Sequence, residues 1–236
     1  MQSSRGLLGV DLGPRQLDAF ATYLIELIEW NRRFNLTAIT DPEGIEVRHF
    51  LDSLTCTLAM DLQEGIRVVD VGTGAGFPGI PIKIMSPQIR LTLVEATRKK
   101  AEFCQHVIDT LSLDSVEVVH ARAEKVGQDP QFRHQFDWAL ARAVAPLPVL
   151  VEYLLPLLRI GGKALAQKGE TAPLEAQEAE EALGILGGHV DRLIPIELPG
   201  VAETRYLVII NKIAATPAKY PRRAGMPEKR PLGKKV

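Results

Sequence analysis

The stretch Val68-Val69-Asp70-Val71-Gly72-Thr73-Gly74-Ala75-Gly76-Phe77-Pro78-Gly79 decides the fold of this 236-residue chain. It begins as an apolar strand and passes through three alternating glycines into a helix whose first turn tolerates proline. Glycine allows positive φ and lets a ligand approach without a Cβ in the way. The helix that follows offers unpaired N–H groups and a positive dipole end. The pattern predicts a strand–loop–helix unit that can hold a nucleotide-like ligand.

Two acidic residues accompany this glycine loop. Asp70 lies two residues before the first glycine, and Glu95 ends the next predicted strand, 19 residues beyond Gly76. A carboxylate at the second position can accept two hydrogen bonds from ribose hydroxyls. The alternative for Glu95 is a solvent-facing strand end. For Asp70 we favour a carboxylate that holds the glycine loop by accepting backbone N–H bonds.

The spacing of the glycines narrows the choice of ligand. It is G-x-G-x-G, whereas dinucleotide sites favour G-x-G-x-x-G. The motif G-x-x-x-x-G-K-[ST] occurs nowhere in the chain, which excludes a P-loop.

From Ile66 onward, strand-like and helical segments alternate, which predicts an α/β fold with right-handed crossovers and a mainly parallel sheet. The predicted strands are 66–71, 90–95, 116–120, 136–141, 163–167, 190–198 and 204–211. The predicted helices between them are 78–85, 98–113, 147–158 and 173–186. The last two strands are joined by a few residues around Gly200, so we expect them to pair antiparallel at one edge.

The chain divides into three predicted regions. Amphipathic helices over 14–34 and from 41 to about 60 form a helical annex, residues 1–60. Residues 61–212 form the alternating α/β domain. Residues 213–236 form a basic tail, which four prolines should keep extended.

Charge is balanced overall but not along the chain. The 28 Lys and Arg residues oppose 29 Asp and Glu residues, yet residues 212–236 carry eight cations against one glutamate. A basic tail on an acidic body indicates a polyanionic partner, and the alternative is a solvated tail that aids solubility. No run approaches the ~20 apolar residues of a membrane span and no apolar signal core follows the N-terminus, so we expect a cytosolic, cytoplasmic protein. Cys56, Cys104 and the scattered histidines fit no metal spacing, so no metal is expected.

The glycine loop and its acidic partners resemble the class I S-adenosylmethionine-dependent methyltransferases, as does the turn over 158–163 before a strand. The resemblance implies a Rossmann-like, mainly parallel seven-stranded sheet with an antiparallel edge strand, and S-adenosyl-L-methionine as cofactor. The implied cofactor-binding residues are Asp70, Gly72, Gly74, Gly76 and Phe77 in the loop, Glu95 on the ribose, Ala123 and Glu124 beside the adenine, and Arg142. For Phe77 the alternative is a hydrophobic plug beneath the loop.

Several motifs in order resemble one family within that class, over about residues 17–232. They are Asn35–Ile39, Arg48–Leu54, Asp70–Ile80, Arg142-Ala143, Gln167–Gly169 and Tyr220–Pro227. The family is the glucose-inhibited division protein B group, the bacterial 16S ribosomal RNA guanine-N7 methyltransferases. The resemblance implies methyl transfer to N7 of a guanine in a 16S rRNA loop, with the rRNA, the 30S subunit or its precursor as partner. We expect a monomer. Residues 128–135 match none of these motifs.

Several individual side chains have both a functional and a structural interpretation. Arg142, the expected catalytic residue, ends the fourth strand, where open α/β sheets place ligands. Its guanidinium could hold a carboxylate, a phosphate or a guanine edge, or could merely satisfy carbonyls and an acidic neighbour. His49 and Asp52 could orient a third group from one helix face, or His49 could make a core contact. The expected RNA-binding residues are Asn35, His49, Lys168, Arg222, Arg223, Lys229 and Arg230.

Residues around the fourth strand also indicate which kind of atom accepts the methyl group. Residues 137–148 contain no cysteine, which cytosine C5 methylation requires, and lack the Asn/Asp-Pro-Pro-aromatic motif of exocyclic amine methylation. A ring nitrogen such as guanine N7 has an in-plane lone pair and needs orientation rather than a base. Two rivals stay open: an NAD(P)-dependent oxidoreductase, and a non-enzymatic RNA-binding assembly factor.

Overall fold

A seven-stranded sheet forms the centre of the computed structural model, which describes residues 7–9 and 11–233. The strand order is β3-β2-β1-β4-β5-β7-β6, and only β7 runs antiparallel to its neighbours β5 and β6. The strands are β1 Arg67–Val71, β2 Arg90–Glu95, β3 Val116–His120, β4 Phe136–Arg142, β5 Leu158–Lys168, β6 Gly188–Ile196 and β7 Arg205–Lys212. The predicted class I sheet with an antiparallel edge is confirmed.

Helices cover both faces of the sheet. They are α1 Pro14–Phe34, α2 over residues 42–58, α3 Gly79–Met85, α4 Arg98–Thr110, α5 Ala123–Gln128, α6 Leu147–Leu154, α7 Ala172–Glu178, α8 Glu180–Leu186 and α9 Met226–Lys229. Helix α2 passes through α, π and 3₁₀ turns in succession, and its π turn spans Glu46–Leu51. Single π turns inside helices often occur at functional sites.

The winding of the sheet gathers the predicted site residues. The chain starts at the central β1, moves outward to β3, and returns on the other side of β1 as β4. Ligands bind in open α/β sheets outside the carboxyl ends of the strands where the winding direction reverses. Because parallel strands end at one edge, Gly72, Glu95 and Arg142 all lie there.

The helical annex shares a core with the α/β domain. Phe20, Tyr23 and Leu27 of α1 are buried, and the Tyr23 ring stacks on Phe77 of the glycine loop with centroids 5.4 Å apart. The Phe50 ring of α2 lies 5.2 Å from Tyr23. Buried aromatic pairs contribute about 0.5–1.5 kcal/mol beyond their area. The annex therefore stabilises the glycine loop directly.

Several predicted boundaries were wrong. Strand β5 begins at Leu158, five residues early, and the predicted turn over 158–163 is an irregular part of this strand in which Gly161 has a φ of +83°. The pairing with β4 jumps there from Phe136–Leu158 to Trp138–Lys163. A bulge breaks the alternation of buried and exposed residues, so the pattern did not show a strand.

The helices differ in smaller ways. The predicted helix over 147–158 ends at Leu154, and the one over 173–186 is divided between α7 and α8. Helix α5 was not predicted because its six residues are too few to show an apolar period.

The basic tail is not a separate extended segment. Its described residues pack back on the domain, Tyr220 is buried, and α9 forms a helical turn at Met226–Lys229. The prediction of an extended tail is therefore wrong at this helix. The tail is ordered by contacts with the domain, which its own composition does not reveal.

In the part of the chain that the structure describes, no helix is both long and apolar enough to cross a bilayer. The same residues contain no group of three or more histidine, cysteine or acidic side chains placed to hold a metal ion.

Candidate active site

Asp70 holds the glycine loop in place. Its Oδ2 accepts hydrogen bonds from the Thr73 hydroxyl at 2.6 Å and the Gly79 N–H at 2.9 Å. Burial raises the pKa of Asp70 to about 6, although these bonds and the charge of Arg142 oppose the increase. The second oxygen, Oδ1, is buried without a hydrogen-bond partner among the described residues. The favoured structural role is observed, and the unpaired acceptor suits a ligand that offers an N–H group.

The three glycines of the loop are needed for different reasons. Gly72 and Gly74 have φ of +70° and +61°, and nothing lies within 4 Å of the position that a Cβ on Gly74 would take. A ligand therefore has space beside Gly74. At Gly76, φ is +95° and a Cβ would collide with the Tyr23 hydroxyl. This third glycine lets the annex approach the loop.

Glu95 fixes the same loop from β2. Its Oε2 accepts from the Gly74 N–H at 2.9 Å, and its Oε1 accepts from the Thr97 N–H at 2.7 Å. A carboxylate offers about four lone-pair sites, so these bonds leave capacity for ribose hydroxyls. Glu95 is 6% exposed, so it is not a solvent-facing strand end.

A cavity of about 100 Å³ opens between the ends of β1 and β2 and the helices beyond β3. Its lining residues are Val71, Gly72, Val94, Glu95, Ala96, Ala121, Arg122, Ala123, Glu124, Val144, Tyr153 and Glu228. Four predicted cofactor residues therefore meet here: Gly72, Glu95, Ala123 and Glu124. The cavity is smaller than the roughly 300 Å³ of ordinary small-ligand sites, so it can hold only part of such a ligand.

Phe77 is not among the residues that line this cavity. Its buried ring stacks on His49 with centroids 4.6 Å apart, and the Arg142 guanidinium lies 5.0 Å above its centroid. The Phe77 ring is therefore buried as a hydrophobic plug would be, which agrees with the alternative interpretation of this residue. Any contact between Phe77 and the cofactor stays a prediction.

Arg142 is held by three groups of the annex. Its Nη1 donates to Asp52 Oδ2 at 2.9 Å and to the Arg48 carbonyl at 3.2 Å, and its Nη2 donates to His49 Nδ1 at 3.2 Å. These bonds use three of the five guanidinium hydrogens. The side chain is only 14% exposed. The arginine therefore has the acidic neighbour and the carbonyl that its structural interpretation requires. Its two remaining guanidinium hydrogens can still be donated to a ligand at the carboxyl end of β4.

His49, which was predicted to bind RNA, is hydrogen-bonded inside the protein, and any contact with RNA stays a prediction. Both ring nitrogens are used inside the protein: Nδ1 accepts from Arg142, and Nε2 lies 2.7 Å from the Thr37 hydroxyl. Since arginine can only donate, the proton of the ring belongs on Nε2. Burial and the charge of Arg142 lower the pKa of His49 to about 3. His49 and Asp52 therefore orient Arg142, as the pairing interpretation expected.

The chain matches the family model described as rRNA small subunit methyltransferase G (GidB) over residues 16–197. It belongs to this family. The Roseiflexus castenholzii protein named ribosomal RNA small subunit methyltransferase G is 53% identical over 224 residues, 95% of each chain. The protein of the same name from Pelotomaculum thermopropionicum is 49% identical and covers 95% of this chain and 94% of its own.

Solved structures agree on the fold. A SAM-dependent methyltransferase from Aquifex aeolicus aligns with a TM-score of 0.53 at 18% identity, over 72% of this chain and 93% of its own. A precorrin-6y C5,15-methyltransferase from Geobacter metallireducens aligns with a TM-score of 0.51 at 16% identity, over 74% and 90%. The predicted class, an rRNA methyltransferase that uses S-adenosylmethionine, is confirmed for this family member.

Two more residues predicted to bind RNA are paired with acidic side chains in this member of the rRNA small subunit methyltransferase G family, and their contacts with RNA stay predictions. Lys168 Nζ donates to the Ala145 carbonyl at 2.8 Å and pairs with Glu175 at 2.6 Å, so its charge is already neutralised. Arg222 pairs with the buried Glu152 at 2.6 Å. For both residues, the sequence shows a cation near the site. It does not show the acidic side chain that the fold places beside that cation.

The remaining predicted RNA residues lie at the surface. Arg223, Lys229 and Arg230 are exposed. Asn35 is exposed in the left-handed conformation that ends α1, with a φ of 48°. Their contacts with RNA stay predictions.

Residues that sequence reasoning missed complete the site of this family member. Tyr23 donates its hydroxyl hydrogen to the Ala75 carbonyl in the glycine loop. The Thr37 hydroxyl forms a hydrogen bond with Nε2 of His49, and Tyr153 and Glu228 line the cavity. Thr37 lies in the motif Asn35–Ile39, for which no individual role was predicted, and no local pattern indicated a role for Tyr23, Tyr153 or Glu228.

Proposed function

We propose that this protein transfers the methyl group of S-adenosylmethionine to N7 of a guanine in a loop of 16S rRNA. The observation that carries the proposal is Arg142, held by Asp52 and His49 beside the glycine loop, where β1 and β4 end. Family membership supports the acceptor class.

The residues of the cavity suit the nucleoside part of this cofactor. Glu95, Glu124 and Glu228 line it, so it offers acceptors to ribose hydroxyls and to an amino group. The same carboxylates would repel a pyrophosphate at short range. The cavity therefore favours a sulfonium nucleoside over NAD(P), and the unpaired oxygen of Asp70 and the open space beside Gly74 suit the amino-acid part.

The cofactor supplies an activated methyl group, and the protein's contribution is to align the acceptor with it. Holding reacting groups in line at near-contact distance accounts for much of the rate of such transfers. The hydrogen bonds to His49, Asp52 and the Arg48 carbonyl fix the guanidinium, whose remaining donors can hold the guanine edge or a phosphate. His49 cannot serve as a base because its pKa is about 3. A neutral ring nitrogen, which releases no proton before attack, fits this site.

The acceptor nucleotide has room to enter on the annex side. Two clefts of about 450 and 570 Å³ share the lining residues Ala38, Ile39 and Thr40. Arg48, whose carbonyl holds Arg142, lines the first cleft, and Asn35 lines the second. A guanine in A-form RNA hides its N7 edge in the deep groove, so the target base must be splayed out. Exposed Arg223, Lys229 and Arg230 would hold the backbone. We further propose that the enzyme acts as a monomer in the cytoplasm.

Locating the methyl group on the product tests this function. The full chain, labelled cofactor and 30S subunits from a methylation-deficient strain are incubated, and the rRNA is digested and analysed by mass spectrometry. We expect one 7-methylguanosine with the wild type and none with Arg142→Ala. Subunit binding without label would favour the assembly factor, and a methyl group elsewhere would overturn the N7 assignment.

Cofactor choice needs a separate measurement. In calorimetry, S-adenosylhomocysteine should bind at micromolar concentration and NADH should give no signal. Glu95→Ala should weaken S-adenosylhomocysteine binding by about 1.5–3 kcal/mol for each charged hydrogen bond lost. The exposed Glu117→Ala serves as the control. A response to NADH alone would support the oxidoreductase.

A further inference from the structure

The last described residues, 213–233, form what we call the C-terminal strap, and one arginine of the domain holds it. Arg133 lies in the stretch that matched no family motif. Its Nη1 donates to the Tyr220 carbonyl at 2.6 Å, and its Nη2 donates to the carbonyls of Thr216 and Pro217 at 2.8 and 3.3 Å. Gln128 adds bonds to the carbonyls of Ala218 and Pro221, at 3.2 and 2.7 Å. The strap backbone is therefore bound along several consecutive residues.

A buried carboxylate fixes the middle of the strap. Glu152 of α6 has a fully buried side chain and accepts from three donor groups of Arg222, the backbone N–H at 2.7 Å, Nε at 2.9 and 3.2 Å, and Nη2 at 2.6 Å. Removing one partner of such a pair leaves an uncompensated charge in the interior. Pro221 packs against Gly127, where a Cβ would lie 2.7 Å from the proline ring.

The end of the strap reaches the cofactor cavity. Glu124, a cavity residue, accepts from the Gly225 N–H at 2.8 Å. One turn further along the chain, Glu228 of α9 itself lines the cavity together with Tyr153. Burial, with the nearby charges of Glu124 and Glu228, raises the pKa of Tyr153. The family model ends at residue 197, so it does not describe this wall.

We propose that the C-terminal strap is part of the cofactor site, and that Glu228 accepts a hydrogen bond from the 6-amino group of the adenine. The inference rests on the proposed function, which assigns this cavity to the cofactor. A bound adenosine offers three donors, two ribose hydroxyls and the amino group. Glu95 is assigned to the hydroxyls, and one oxygen of Glu124 is engaged by the strap. Glu228 makes no hydrogen bond or ion pair within the described residues, so its carboxylate is available to the amino group.

This arrangement makes the strap a specificity element. An inosine base carries an acceptor oxygen in place of the amino group. The lone pairs of this oxygen and of the Glu228 carboxylate would then repel each other. A site that pairs with a donor discriminates against an analogue that lacks it, though less strongly where, as at the exposed Glu228, water can replace the lost partner. The strap then selects adenine, and its exposed cations can still meet RNA on the outer surface.

Calorimetry with two probes tests the proposal on the full chain. The probes are S-adenosylhomocysteine and S-inosylhomocysteine, and the variants are Glu228→Ala, Glu95→Ala and, as an exposed control, Glu178→Ala. We expect Glu228→Ala to weaken S-adenosylhomocysteine binding roughly tenfold or more and to remove the preference over the inosine probe. Glu178→Ala should behave as the wild type in both respects.

The outcomes separate this inference from the function on which it rests. If Glu95→Ala loses affinity while Glu228→Ala keeps both its affinity and its adenine preference, the strap is not part of the site and only this inference fails. If Glu95→Ala also binds as the wild type, the cavity is not the cofactor site and the assignment beneath both proposals fails. A wild type that binds both probes equally also overturns the inference.

A second variant tests the anchoring of the strap. Arg133→Ala should make tryptic cleavage after Arg222 and Arg223 faster and should weaken S-adenosylhomocysteine binding, with the circular dichroism spectrum unchanged. Faster cleavage with unchanged binding would show that the strap is bound to the domain for reasons unconnected with the cofactor.

Discussion

Nη2 of Arg142 donates a hydrogen bond to Nδ1 of His49 at 3.2 Å, across 93 positions of the chain. Because the guanidinium is a permanent donor, this contact requires a neutral imidazole. Asp52, on the same helix as His49, binds the other guanidinium nitrogen. The arginine at the end of β4 is therefore oriented by the annex rather than by its own strand.

Arg142→Lys should lower kcat by roughly 100-fold or more, because misplacing a positioning group by about 1 Å costs that much. A lysine ammonium is a single point charge and cannot reach Asp52, the Arg48 carbonyl and His49 together. Single-turnover methylation of 30S subunits measures the loss, and calorimetry with S-adenosylhomocysteine verifies that the cofactor still binds. Thermal melting controls for folding, and a variant with more than half the wild-type rate would contradict the role of the arginine.

His49 should make stability depend on pH in a direction that can be worked out. Its pKa is about 3 in the folded protein and about 6.5 when unfolded, so between these values the unfolded state binds an extra proton. Stability is then lost as pH falls through this window, by at most about 1.4 kcal/mol per pH unit. Asp70, with a raised folded pKa of about 6, acts in the opposite sense between about pH 4 and 6.

Urea unfolding at pH 7 and pH 4.5 checks this effect. His49→Ala should destabilise the protein less, relative to wild type, at pH 4.5 than at pH 7, since it removes the group that disfavours folding in acid. The exposed His189→Ala should not show this difference. An equal loss at both pH values for His49→Ala would show that the imidazole is not held neutral.

Tyr23→Phe should loosen the glycine loop while keeping the aromatic stack. The Tyr23 hydroxyl is a buried donor to the Ala75 carbonyl, and its loss should cost about 0.5–1.5 kcal/mol of unfolding free energy, or up to about 3 if the carbonyl stays unsatisfied. S-adenosylhomocysteine affinity should fall as well, because the loop spends less time in its binding conformation. Tyr206→Phe, in β7, is the control. Full affinity with reduced stability would limit Tyr23 to a packing role.

Replacing Arg223, Lys229 and Arg230 together by alanine should reduce the salt dependence of RNA binding. Each phosphate contact to single-stranded RNA contributes about 0.7 to the slope of log K against log salt, so the slope should become shallower by roughly 2. A control triple at Arg90, Arg159 and Arg192, exposed cations outside the strap, should keep the wild-type slope. Equal slopes for both triples would remove the strap from RNA binding. These substitutions avoid the damage that deleting the strap would do to its contacts with the domain.

Local patterns were sufficient for the sheet and for the glycine loop. Strand-like runs predicted all seven strands, although β5 begins five residues before its predicted start. The order of Asp70, three glycines and Glu95 predicted the loop, in which the Gly74 N–H bonds to one carboxylate and the following helix bonds to the other. Positive φ at Gly72, Gly74 and Gly76 is a backbone requirement of this loop. Short-range chemistry of this kind can be read from consecutive residues.

Pairing between distant residues could not be read in this way. Lys168 and Arg222 looked like free cations until the fold placed Glu175 and Glu152 beside them. His49 was visible, but the guanidinium that engages it is contributed from β4. Arg133 lay in an uninformative stretch because its partners are backbone carbonyls, which carry no sequence signature.

The bond between Glu124 and Gly225 joins residues 101 positions apart, and Gly225 belongs to the strap, which follows the last strand of the sheet. During synthesis, every strand of the sheet leaves the ribosome before the segment that borders the cavity. Until that segment follows, the cavity lacks the side that Glu228 supplies, and the buried Glu152 lacks its arginine partner. A frameshift that replaces residues 222–228 should therefore yield a less stable product that also binds its methyl donor poorly.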